Sequence, residues 1–186
     1  MKKADLKIFL DEKAQLYEHP NFLDSDPIQI PHRFSKKEDI EIIGFLTATI
    51  AWGNRVSIIN SATKIVALME QAPFDFICHH TLKDRKRCEG FVHRTFNGED
   101  LSFFFKALQF IYTKKGGLEV FFSAYNKDFY LYRAIHDFKI LFFSLPHIKR
   151  TEKHVADPLK NSAAKRINMF LRWMVRESNQ GVDFGL

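Results

Sequence analysis

The chain has only two cysteines, Cys78 and Cys88, in 186 residues. Two thiols cannot supply a disulfide framework for a chain of this length, and cannot ligate an iron–sulfur cluster alone. No apolar run approaches the roughly 18 residues that a membrane-spanning helix requires. Asp5, Lys7 and Asp11 follow Met1-Lys2-Lys3 and interrupt any signal-peptide core. A cytoplasmic protein without a membrane partner is therefore expected. There is no phosphate loop of the G-x-x-x-x-G-K type, so nucleotide hydrolysis is not expected, and neither a fixed-period repeat nor a low-complexity tract occurs. Cys78, His79, His80, Cys88 and His93 have side chains that suit zinc, but their spacing matches no closed zinc pattern. Three adjacent ligands on one short segment cannot all face one ion. Neither a metal nor a cofactor is expected.

What the chain does have is apolar bulk, 46% of its residues, with twenty Phe among them. Runs such as Phe103-Phe104-Phe105, Phe121-Phe122 and Phe142-Phe143 read as core filling. Almost every segment has helical period and strand alternation is scarce, so the fold class is all-α. A first amphipathic helix spans 3–18 through Leu6, Phe9, Leu10 and Leu16, followed by an extended link punctuated by Pro20, Pro27 and Pro31. Ser35 and Glu38 form a capping-box pattern, with Asp39 and Glu41 adding charge at the positive helix end. The helix they open, IEIIGFLTATIAW, is apolar nearly all round and belongs in the centre of the fold. Gly53 stops it, and Asn54 caps a second helix to about Met69. Pro73 opens a short helix, 83–89 reads as a loop or exposed turn, and a Phe-rich helix covers about 100–113 before Gly116-Gly117 ends it. Another runs from about Asp128 to Phe143 and is closed by Pro146. We expect a single α-helical domain over 1–186, with one lobe at about 36–145 and a second formed by about 1–35 plus 146–186.

The net charge is +6, and between His147 and Arg176 eight cations stand against only Glu152 and Asp157. A local excess of this kind suits the phosphate backbone of a nucleic acid. The segment KNSAAKRINMFLRWMVR (160–176) concentrates it. On a helical wheel Ile167, Phe170, Leu171 and Met174 make one buried stripe, while Lys165, Arg172 and Arg176 fall on the opposite side, without an acid on that ridge. With Asn161 or Ser162 as N-cap, Lys165 lies in the first turn, where the helix dipole disfavours a cation. Two uses explain that placement. Either the helix start holds a phosphate together with Lys165 and Arg166, or the lysine is poised to react as a neutral amine. His136-Asp137 could orient one another, although adjacent residues on a helix more often form a surface pair.

The segments GFLTATIAWGNR (44–55), HRTFNGEDLSFFF (93–105) and AAKRINMFLRWMVR followed by GVDFGL resemble an uncharacterised bacterial family distantly similar to the helix-hairpin-helix base-excision DNA glycosylases. That resemblance implies two helical lobes with a cleft into which a damaged base is flipped from duplex DNA. Lys165 would be the lysine that attacks the sugar and forms a Schiff base, with Asp183, eighteen residues on, as its partner carboxylate. Asn54 would fill the gap left by the flipped base, and Arg55, Lys160, Arg166, Arg172 and Arg176 would contact DNA. The hairpin Asp157-Pro158-Leu159-Lys160-Asn161-Ser162 lacks the glycines usual in such proteins, and Asp183 sits in GVDFGL. The family is expected to continue past the apolar Phe184-Gly185-Leu186. The expected function is thus a DNA-binding, repair-type N-glycosylase/lyase. The alternatives are a non-catalytic nucleic-acid-binding helical module, or a helical scaffold that binds an acidic protein.

Overall fold

The computed structural model describes residues 2–125, 131–178 and 180–186. The chain is mostly helical, 68% helix and 2% strand, which agrees with the all-α expectation. Among the described residues the α-helices are α1 (Lys3–Tyr17), α2 (Lys37–Thr49), α3 (Arg55–Leu68), α4 (Pro73–His79), α5 (Leu82–Lys86), α6 (Gly98–Lys114), α7 (Leu118–Ser123), α8 (Leu131–Phe142) and α9 (Lys165–Val175). A two-stranded antiparallel hairpin, β1 (Val92–His93) and β2 (Phe96–Asn97), lies between α5 and α6, with His93 opposite Phe96. Short 3₁₀ turns at Pro20–Ser25, Pro27–Gln29 and Pro31–Arg33 link α1 to α2, and two more, Lys149–His154 and Pro158–Lys160, lie between α8 and α9.

A helix with apolar residues on every side has to be enclosed, and α2 is buried from Ile40 to Thr49. The Phe45 ring meets Phe138, Phe142 and Phe170 edge-on at 5.5–5.6 Å and stacks with Phe104 at 6.0 Å. Such pairs add about 0.5–1.5 kcal/mol each beyond the burial of their area. Helix α9 packs antiparallel against α2. Phe170 and Met174 close on Gly44, where an added Cβ would lie 3.1 Å from Met174 Cε, while Arg166 reaches Thr49 at the other end. The buried stripe of Ile167, Phe170, Leu171 and Met174 is present, and Trp173, which a helical wheel places beside the cations, is enclosed as well.

Several boundaries differ from those expected. The capping box does not form: α2 begins after Lys36 with no side-chain cap, and Asp39 instead accepts the amide of Phe74 at 2.7 Å. Glu41 is buried and accepts the Tyr112 hydroxyl at 2.7 Å, so it is a tertiary anchor and not a first-turn surface charge. Helix α1 forms as expected but buries none of its residues, leaving Leu6, Phe9, Leu10 and Leu16 exposed. The charged stretch after His80 holds the short α5, whose Thr81 and Asp84 make a reciprocal cap. The start expected for α8 near Asp128 lies outside the described residues. Among the described residues no helix is long and apolar enough to cross a membrane.

Candidate functional site

Lys165 is the first residue of α9, nearer the helix start than an Asn161 or Ser162 cap would put it. The cap is Ala164, in the left-handed region at φ 45, which offers no side-chain acceptor. Asn161 is left-handed as well, at φ 58, where it ends the turn Pro158–Lys160. Asparagine tolerates this region, but for alanine it costs about 1–2 kcal/mol, and strain of this kind concentrates at functional segments. Ser162 Oγ accepts the Ala164 amide at 3.2 Å, and the Asn168 side chain donates to Ala163 O at 3.1 Å, so the kink is held from both sides. The first turn of α9 thus has no side-chain cap. Lys165 is exposed, and among the described residues no carboxylate reaches its amine. The arm ahead of this kink is 3₁₀ rather than α-helical.

Behind Lys165 lies a corner built on Trp52, between α2 and α3. Arg166 donates to the carbonyl of Thr49 and lays its guanidinium over the Trp52 ring at 4.7 Å. Burial pushes its pKa down, and both of its contacts orient the charge without neutralising it. The His154 ring stacks with Trp52 at 5.9 Å, and His93 meets Trp52 edge-on at 5.2 Å. His93 also pairs with Ser61 Oγ at 2.9 Å. Burial lowers the pKa of both imidazoles, holding His154 at about 4, with Lys153 and Arg166 adding to the effect against the pull of Asp100. Asp100 is fully enclosed. It takes the Thr151 hydroxyl at 2.7 Å, the Asn97 amide at 3.0 Å and Arg150 at 3.1 Å, with His154 Nε2 3.3 Å away but not aligned for a hydrogen bond.

The structure does not bring Asp183 to Lys165. The Asp183 carboxylate is 0% exposed and is clasped by Arg176 and by Arg172, the latter at 3.3 Å. Arg172 lies seven residues past Lys165, about 10 Å along the axis at about 1.5 Å per residue. Arg176 also reaches Glu18 at 2.6 Å. The segment carrying Asp183 is fastened by His32, which pairs with Val182 O at 2.9 Å and stacks on Phe184 at 4.3 Å. The ridge expected to lack an acid is therefore neutralised over half its length by a residue that folds back from beyond the helix. Lys149 and Arg150 are likewise paired, with Glu152 and with Asp100 and Glu99. Among the described residues of this region, the cations without a carboxylate partner are Lys153, Lys160, Lys165 and Arg166.

Asn54 caps α3 through its side-chain oxygen, which accepts the amides of Val56 at 2.9 Å and Ser57 at 3.3 Å. Arg55 is exposed, 3.8 Å from Asp26 and 5.5 Å over the Phe22 ring. His136 and Asp137 do not orient one another: His136 pairs with Asp157 at 2.9 Å, and Asp137 accepts the Tyr125 hydroxyl at 2.9 Å. The residues considered for zinc also diverge, His79 to Asp75, His80 to Phe105 O, and His93 to Ser61. Among the described residues no three His, Cys, Asp or Glu side chains converge on a metal position.

The model of a protein family matches residues 26–186, most of the chain, and its description is "protein of unknown function (DUF2400)". The chain belongs to the DUF2400 family. The DUF2400 match includes the Trp52 corner, the strained approach to Lys165 and the Asp183 clasp, whereas α1 lies ahead of it. No curated protein and no solved structure matches the chain.

Proposed function

We propose that this DUF2400 protein binds the phosphate backbone of DNA along the start of α9, and that Lys165 is the nucleophile of a base-excision glycosylase/lyase reaction. The observation that carries this reading is the placement of Lys165: an exposed, unpaired amine at an uncapped helix start, directly after an alanine held in the left-handed region. The uncapped amides and the positive end of the helix favour a phosphate there, and Lys153, Lys160 and Arg166 extend the same field. In the reaction, the Lys165 amine in its neutral form bonds to the sugar C1′ as the N-glycosidic bond breaks, and the departing base carries away the proton that the attacking nitrogen sheds. The C1′–O4′ bond then opens, O4′ takes a proton from water, and a protonated imine to the protein remains. The segment resemblances at 44–55, 93–105 and 163–176 support a two-lobed glycosylase-like arrangement for this chemistry, with 3₁₀ turns in place of the first helix of the helix-hairpin-helix. Asp183 contributes by fixing Arg172 and Arg176 and does not exchange a proton with Lys165.

The enclosure of Asp183 also favours a second reading, a nucleic-acid-binding module without catalysis, because among the described residues no carboxylate then stands ready beside Lys165. Borohydride trapping separates the two. Duplexes carrying oxidised, alkylated, deaminated or abasic sites are incubated with the protein and with Lys165→Ala under reducing conditions. The expected result is a covalent adduct that Lys165→Ala does not form. If the intact protein binds DNA with steep salt dependence yet forms no adduct, the lyase chemistry is wrong and the binding module stands. Binding that is absent or insensitive to salt removes both.

A further inference from the structure

Arg94 sits in the two-residue loop, Arg94-Thr95, that joins β1 to β2, and its backbone is left-handed at φ 54. Tight hairpin loops of this length select Asn-Gly or Asp-Gly, because those residues tolerate a positive φ. Turn chemistry alone therefore gives no reason for an arginine. The hairpin instead aims this side chain at the corner between α2 and α3. A Cβ built on Gly53 would lie 3.0 Å from Arg94 Nη1 and 3.4 Å from its Cδ, so the guanidinium rests directly on the Gly53 backbone. Gly53, at φ +104, permits both the sharp turn and that approach.

Across the same corner Arg166 lies over Trp52. The two guanidinium groups thus flank consecutive residues, Trp52 and Gly53, one from α9 and one from the hairpin. Neither meets a carboxylate among the described residues, although the chain pairs Arg87, Arg150, Arg172 and Arg176 with acids elsewhere. The imidazoles between them, His93 and His154, add no balancing negative charge. Positioning two cations through a carbonyl, an indole face and a glycine, while withholding a counterion, leaves the charge available to a ligand anion.

We infer that Arg94 and Arg166 are two jaws of one site at the Trp52–Gly53 corner, which takes phosphate groups of a nucleic-acid strand leading on to Lys165. This rests on the DNA-binding reading above and adds a binding surface contributed by an element outside α9. The shared chemistry is the phosphate group, and a mononucleotide could supply it as well as a strand.

Titrations of salt-dependent binding test the inference, using a fluorescent duplex, the matching single strand and AMP against the protein, Arg94→Ala and Arg94→Lys, with thermal melting as a check on folding. Removing one cation that neutralises a phosphate lowers the slope of log K against log salt by about 0.9 on duplex and about 0.7 on single strand. Arg94→Ala is expected to lower the slope by about that amount and to bind several-fold more weakly at an unchanged melting temperature, while Arg94→Lys keeps most of the slope. AMP should bind far more weakly than either oligonucleotide. An unchanged slope and affinity in Arg94→Ala, with the intact protein still binding, overturns the jaw and leaves the α9 reading standing. AMP binding as tightly as the oligonucleotides, and depending on Arg94, replaces the strand with a nucleotide. If the intact protein binds neither oligonucleotide, the DNA reading fails and this inference falls with it.

Discussion

Replacing Asp183 by Asn removes one negative charge from a position where the carboxylate is fully enclosed and two guanidinium groups converge. Breaking a buried ion pair costs about 3–5 kcal/mol when the surviving charge stays buried. Here the survivors do not stay buried, because the side chains of Arg172 and Arg176 keep 46% and 34% of their exposure and Arg176 retains Glu18. The loss should therefore lie nearer the worth of a hydrogen bond to a charged group, about 1.5–3 kcal/mol. With a urea m-value of about 2 kcal/mol per molar for a chain of this size, the unfolding midpoint falls by about 1 M. DNA affinity should hold or rise, since the substitution frees Arg172 on the face that carries Lys165. A midpoint unchanged by Asp183→Asn, accompanied by loss of the trapped adduct, would refute the clasp and return Asp183 to the chemistry.

The other expectations concern the protein as a folded object. His154 is protonated at about pH 6.5 in an unfolded chain but only near 4 in the folded one. Its contribution to stability is therefore complete above pH 6.5 and is lost as the pH falls toward 4, an effect of about 3 kcal/mol. Chemical denaturation across pH 4–7 should show a shallower acid limb in His154→Gln than in the parent, and identical limbs would count against it. At Gly98 an added Cβ would lie 2.0 Å from the Cys88 carbonyl oxygen, a backbone clash no side-chain rotation relieves. Gly98→Ala should cost about 3 kcal/mol or more in a melting experiment, and a neutral result would mean that the two backbones do not approach so closely.

Helix positions were legible where apolar period and punctuation agreed: Gly53 and Asn54 between α2 and α3, Pro73 at the start of α4, Gly116-Gly117 after α6. The capping pattern at Ser35 and Glu38 misled, because a tertiary contact from Asp39 to Phe74 competes with the local cap. Lys165 was placed in the first turn of its helix from sequence alone. The state of Arg172 and Arg176 was not legible, since a helical wheel shows only residues on the helix and Asp183 returns to them from eleven and seven positions away. Arg94 was hidden for a related reason. Its loop has none of the Asn-Gly chemistry that marks a hairpin, so residues 90–99, between the turn at 83–89 and the helix from about 100, carried no element.

The stacking of His154 and Arg166 about Trp52 gives the molecule an optical asymmetry. The chain has two tryptophans, and Trp173 is sealed in the core, whereas Trp52 is half-buried between a guanidinium and an imidazole. Emission from Trp173 therefore follows the integrity of the fold, while emission from Trp52 follows the polarity and protonation of its two neighbours. Whatever occupies the corner is recorded by one indole against the constant background of the other, without a label attached to the protein.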